Sequence, residues 1–384
     1  MAFRITSLRR GMALAATLLF FSAQSLARAE TGVTADAILL GQSTALSGPL
    51  AELGNDTSAA SRAYFNYINA QGGIHGRKIR LITLDDGYNT EKGVANTRQL
   101  IEKDGVFALF NVLGTPANTA LLPVIAQAGI PSVAPYTGSD AVRKPLHRHV
   151  FNVRAGYADE TEKIIEHLGV RGIHKVAVVY QNNAFGKDGL ASVEQALARR
   201  KLTVHSVATI ENDASDAEKA AATLAATSPQ AVVMITAGKP SAEFIKASNR
   251  IATGMQYFTL SVMGTQASVA ALGKEGVGVV VSQVVPFPFS ATSGIVREYQ
   301  QVMTKMGIRN WSFASMEGFI NAKVMVEALR RAGRDLTRER LMAALESMNR
   351  VDFDGYIVDF SRNNHQGSRY VELTVISRDG RFLR

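Results

Sequence analysis

The chain has 384 residues, a formal net charge of +9, 46% hydrophobic residues and no cysteine. Disulfide frameworks and Cys-based metal or redox chemistry are therefore excluded, and a chain this long buries ample core without covalent staples. The basic residues are scattered among acids rather than clustered, which argues against a nucleic-acid partner.

The first 29 residues carry the marks of an export signal. Arg4, Arg9 and Arg10 form a positive start, Gly11 to Phe21 an apolar middle, and Ala27-Arg28-Ala29 a small-residue cleavage site. Cleavage is expected after Ala29, leaving Glu30 as the first residue of a freely soluble periplasmic protein. The apolar run is about half of the ~20 residues that span a bilayer. Four arginines, including Arg28, leave with this leader, so the remaining charge is modest.

Short β-branched runs then alternate with helical stretches. Strands are expected at Ile79–Leu84, Val106–Val112, Ser132–Ala134, Lys175–Tyr180, Val204–Thr209, Ala231–Thr236 and Val277–Val284. Several are apolar almost throughout, as parallel strands covered on both faces are. Helices are expected between them at Gly93–Lys103, Ala117–Ala128, Glu160–Leu168, Gly189–Arg200 and Ser241–Ile251. Three more follow Pro286, at Gly294–Met306, Ser315–Ala332 and Thr337–Ser347, and the late strands Tyr356–Phe360 and Tyr370–Ile376 close the chain. The rhythm restarts near residue 154. The fold class is therefore α/β, two doubly wound parallel-sheet lobes joined by a hinge. Residues 30–152 plus 286–355 are assigned to lobe 1 and 153–285 plus 356–384 to lobe 2. Crossings are expected near 152–155, 284–287 and 353–358.

The most chemical segment is LLGQSTALSGPLAELGNDTSAASRAYFNYINAQGGIHGRKIRLITLDD, residues 39–86. It is a β-loop-α-β unit with a polar loop at the carboxyl end of its first strand, where open α/β sheets bind ligands. SGPLAELG, INAQGGIHGRKIRL, VFALFNVLGTPANTALLPVIAQAGIPSVAPYTGSD, HVFNVRAGYADE and VAVVYQNNAFGKDGL together resemble the type I periplasmic solute-binding proteins of ABC importers. The similarity is to the leucine/isoleucine/valine-binding, branched-chain amino acid family, and it runs in order along nearly the whole chain after the leader.

Gly114-Thr115-Pro116 follows a strand. Thr is a good N-cap and Pro suits the first helical position, so free N–H groups and a positive helix end would face the mouth of the sheet. Ordinary helix capping explains the same residues. The resemblance implies a carboxylate-binding loop here. Tyr136 and Thr137 follow the next strand, either as a plain turn or, as the resemblance implies, as contacts to the ligand's amino-acid head. Leu53, Tyr157 and Phe185 match positions that line the family's pocket or close over its ligand, although each also reads as core.

Amino-acid binders of this family commonly carry an acid after the strand at Tyr257–Leu260. Here the sequence is TLSVMGTQ, with Ser261 but no carboxylate. A buried ammonium without an anionic partner is costly. Either Asp159 or Glu160 substitutes, or the ligand lacks an ammonium and is an aliphatic or aromatic carboxylate or an amide. Asp85-Asp86 reads as a loop-ordering pair. Nucleophile elbows, P-loops and zinc motifs are absent. The expected protein is a non-enzymatic monomer without cofactor or metal. It captures a small amino acid, or one of the alternatives above, by hinge closure and delivers it to a membrane permease. A periplasmic ligand sensor would use the same closure.

Overall fold

The computed structural model describes residues 30–384 apart from residue 253, so the expected leader lies outside the described residues. Strands β1 (Ala37–Thr44), β2 (Lys78–Asp85), β3 (Ala108–Phe110), β4 (Ser132–Val133) and β5 (Val150–Phe151) form a parallel sheet in the order β2-β1-β3-β4-β5. Helices α1 (Ala51–Ala70), α2 (Thr90–Glu102) and α3 (Thr115–Ala128) connect its first four strands.

After α4 (Tyr157–Val170) the pattern repeats. Strands β6 (Val176–Gln181), β7 (Ser206–Ile210), β8 (Ala231–Ile235), β9 (Gln256–Thr259) and β10 (Val280–Gln283) lie in the order β7-β6-β8-β9-β10, again parallel. Helices α5 (Ala184–Ala198), α6 (Ala217–Ala225), α7 (Lys239–Ile251) and α8 (Gln266–Leu272) serve this half. Both sheets therefore reverse strand order beside their first strand, and each presents a crevice at the carboxyl ends there.

The chain then returns to the first half. Helices α9 (Gly294–Lys305), α10 (Phe313–Ala332) and α11 (Arg338–Glu346) follow. Helix α10 packs so closely on α1 that a Cβ on Gly318 would lie 2.3 Å from the Thr57 carbonyl oxygen. Ser61 Oγ donates to the Gly318 carbonyl at 2.8 Å across the same contact. The hairpin β11–β12 (Val351–Asp352, Ile357–Val358) comes next.

The third expected crossing, at 353–358, is corrected. His365 stacks on Phe151 of β5 at 3.9 Å, and Asn152 N–H donates to the His365 carbonyl at 2.9 Å. The segment through Gly367 thus lies on the first sheet's edge, and the second sheet is reached only at β13 (Glu372–Ile376), antiparallel to β10, followed by β14 (Phe382–Leu383). Two short helices escape the sequence pattern. Helix α6, AEKAAATLA, has only nine residues, five of them alanine, and α8 has only seven.

Candidate functional site

Loops at the carboxyl ends of both sheets converge on one small cavity of about 20 Å³. Leu50 and Leu53 come from the loop and helix after β1, and Tyr88 from the loop after β2. Leu113, Gly114 and Thr115 follow β3, and Tyr136 follows β4. From the other half come Tyr157 at the start of α4, Phe185 after β6, Ala237 after β8 and Val262 after β9. The backbone bends sharply at these strand ends, where Tyr88, Asn111, Ala134 and Gly114 all have positive φ. At Gly114 the requirement is strict: φ is +99°, and a Cβ would stand 2.9 Å from the Tyr88 ring.

Thr115 is not the N-cap. Gly114 holds that position without a side-chain bond, so the Thr115 hydroxyl is not used as a cap. It lies 2.7 Å from Thr137 Oγ and 3.4 Å from the Tyr157 hydroxyl. Gly114 N–H is spent on the Tyr136 carbonyl at 3.1 Å, and Asn118 N–H on the Gly114 carbonyl at 3.0 Å. Among the described residues, the N–H groups of Thr115 and Ala117 have no acceptor. They stand at the positive end of a 14-residue helix, which suits an anion. Thr137 lies behind this wall, its Oγ accepting from Ser139 N–H at 3.1 Å.

Tyr157 and Phe185 meet edge to face, ring centroids 5.3 Å apart, and wall the cavity from the second half. Burial pushes the hydroxyls of Tyr88 and Tyr136 far above the usual phenol pKa, with the Glu317 charge adding to the effect at Tyr136, so both stay protonated.

Ser261 is a correction, because it does not line the cavity. Its N–H and Oγ donate to Glu160, at 2.8 and 3.1 Å. Glu160 also accepts from Ser282 Oγ at 2.7 Å and pairs with Arg154 at 2.9 Å. Arg154 contacts Glu317 on α10 at 3.3 Å and lies over the Tyr136 ring at 5.1 Å. All three ionised side chains are at most 2% exposed. Burial works against the Arg154 charge, but Glu317 and Glu160 hold its pKa above the ordinary arginine value; burial pushes Glu317 up. Arg154 sits in the crossing between the sheets, and its two carboxylates come from opposite halves. Neither carboxylate is free for a ligand ammonium. Asp159 is engaged as well, accepting from Gly156 N–H at 3.0 Å.

Asp85 and Asp86 order the loops around the cavity. Asp85 accepts from Leu46 N–H, Ser47 Oγ and Gly87 N–H at 2.8, 2.7 and 2.9 Å, chiefly through Ser47 holding it well below the usual carboxylate range. Asp86 accepts from Ser43 Oγ at 2.7 Å and Tyr88 N–H at 2.8 Å.

The two halves touch around the cavity. Tyr157 N–H donates to the Gly138 carbonyl at 2.7 Å, and both Glu52 oxygens accept from Ala267 N–H at 2.8 and 2.9 Å. Asp140 N–H donates to Asp188 Oδ2 at 3.2 Å. Among the described residues, no group of three or more His, Asp or Glu side chains is arranged to hold a metal, and no helix is long and apolar enough to cross a membrane.

Sequence reasoning missed Leu50, Tyr88, Leu113, Ala237 and Val262. Tyr88 carried a usable signal, an aromatic beside a turn directly after a strand, the same pattern that singled out Tyr136. Ala237 and Val262 carried none.

A family profile described as periplasmic binding protein matches residues 37–381. The chain is 22% identical over 360 residues to a Brucella abortus protein named Leu/Ile/Val-binding protein homolog 8, covering 88% of this chain and 87% of that one. It superposes with a TM-score of 0.84 on a substrate-binding periplasmic protein from Ralstonia solanacearum, 32% identical and covering 90% and 99% of the two chains. With a possible leucine/isoleucine/valine-binding protein from Rhodopirellula baltica the TM-score is 0.85 at 29% identity, covering 92% and 98%. Proteins of this family bind small molecules without transforming them and deliver them to ABC transporters. The chain belongs to the type I periplasmic binding proteins.

Proposed function

We propose that this protein is the exported substrate-binding subunit of an ABC importer and that its ligand is a carboxylate with an apolar body, lacking an α-ammonium. One observation carries the ligand choice. Glu160 and Glu317 are both bound by Arg154, while among the described residues the unpartnered polar groups lining the cavity are donors: the Thr115 N–H and the Tyr88 hydroxyl. Donors on a helix N-terminus suit a carboxylate. Leu50, Leu53, Leu113, Ala237, Val262 and Phe185 suit an apolar body. An ammonium in the same place would be desolvated without an anion. The names of the leucine/isoleucine/valine-binding relatives favour a branched-chain amino acid instead, so the experiment sets the two against each other.

Purified protein is screened by thermal denaturation and calorimetry with leucine, valine, their deaminated acids, phenylacetate and the matching amides. A ligand of the native state raises the melting temperature. The deaminated acids are expected to stabilise most. Stronger stabilisation by leucine or valine than by their deaminated acids would overturn the carboxylate reading. If no compound stabilises the protein, both readings fall.

A further inference from the structure

A second, larger cavity of about 300 Å³ opens between the halves beside the first. Leu50, Leu53 and Val262 line both cavities. These buried apolar side chains, contributed by both halves, are the wall the two cavities share. The inner cavity, at about 20 Å³, has room for little more than one water, whereas the outer one, at about 300 Å³, reaches the range of about 300–1,000 Å³ common for ligand pockets. Thr115 gives the inner cavity a polar side. A carboxylate seated there directs its body toward Leu50, Leu53 and Val262.

The outer chamber has an apolar wall at Pro49, Ala242 and Ala271 and a charged rim. On that rim Glu243 neutralises Lys246 at 3.1 Å, and Glu52 is bound to the Ala267 N–H. Lys239 forms no salt bridge among the described residues, although its charge acts on Asp213. This composition suits an uncharged or anionic chain end and repels a cationic one. Glu52 crosses from α1 to α8 at the chamber, so the strap that joins the halves also borders the space a tail would fill.

We infer that the ligand is an elongated monocarboxylate, of alkyl or aryl-alkyl type, whose head is held at Thr115 and whose tail passes between Leu50, Leu53 and Val262 into the outer chamber. This rests on the carboxylate reading above and adds the length of the guest to it.

Calorimetry with linear monocarboxylates of about four to about twelve carbons tests it, each methylene adding about fourfold in affinity while it is being buried. The expected result is affinity that climbs with chain length beyond the shortest acids. Ala271→Trp places an indole in the chamber at an exposed position, and its folding is checked by circular dichroism. This variant is expected to lose at least tenfold more affinity for the longest acids than for the shortest. Affinity that peaks at the shortest acid and then falls would overturn the inference and leave the carboxylate reading standing. A variant that binds long acids as well as the parent would also overturn it. Should Ala271→Trp not fold, the parent series still decides. If no acid binds at any length, the carboxylate reading fails and this inference with it.

Discussion

Thr115 shows how one position can serve capping in the sequence and binding in the structure. Because Gly114 takes the cap, the Thr115 hydroxyl is released toward Thr137 and Tyr157. Thr115→Val keeps the shape and removes the donor. A hydrogen bond to a charged group contributes about 1.5–3 kcal/mol, so calorimetry is expected to show affinity for the ligand at least tenfold lower, with the melting temperature of the free protein little changed. Asp188 behaves differently. Burial raises its pKa, with the Asp140 charge adding to the shift and the Asp140 N–H, Ser139 and Arg143 opposing it. Its carboxyl therefore holds its proton more tightly folded than unfolded, and stability is lost as pH rises through the raised value. Asp188→Asn removes that loss while keeping an acceptor for Asp140 N–H. The variant is expected to melt higher than the parent at about pH 7 and equally at about pH 3, where both side chains are neutral. An equal gain at both pH values would remove the role assigned to ionisation.

Helices α1 and α10 form the element-scale contact on which the first half depends. Helix α1 carries Leu53 on its cavity face and Thr57 and Ser61 one and two turns on, against Gly318. Helix α10 carries Glu317 beside that glycine, so the packing distance also sets where Glu317 meets Arg154. Gly318→Ala would force a methyl to within 2.3 Å of the Thr57 carbonyl oxygen, and the helices must separate. Overpacking of this kind costs about 1–3 kcal/mol. Urea unfolding should show that loss, accompanied by weaker ligand binding as Leu53 shifts. Loss of stability with binding untouched would mean that the helix pair does not position the cavity wall.

Across the molecule, the cavity exists only where the halves meet. Its donors belong to the first half and much of its apolar cover to the second. Arg154, in the crossing between them, is bound by one carboxylate from each. Glu52 ties the far side of the cleft to Ala267. Glu52→Ala removes a charged acceptor from that closure without touching Thr115. Stopped-flow displacement is expected to show ligand dissociating about tenfold faster, with association changed less. An unchanged dissociation rate would exclude Glu52 as a closure contact.

The alternation of apolar runs and amphipathic stretches was legible in the chain because a parallel βα unit imposes its periodicity locally. So were the loops holding Thr115 and Tyr136, since strand ends that carry Gly, Pro and polar residues are visible without neighbours. Strand order, the late return to the second sheet at Glu372 and the occupation of Glu160 were not legible. Each depends on partners far away in sequence, such as Arg154 with Glu317 or Asn152 with His365. Sequence alone determined most of the strands and longer helices and the polar loops after the strands of the first half. Tertiary structure alone decided which polar groups remain unpaired, because a group is free only after every distant competitor for its hydrogen bonds has been placed.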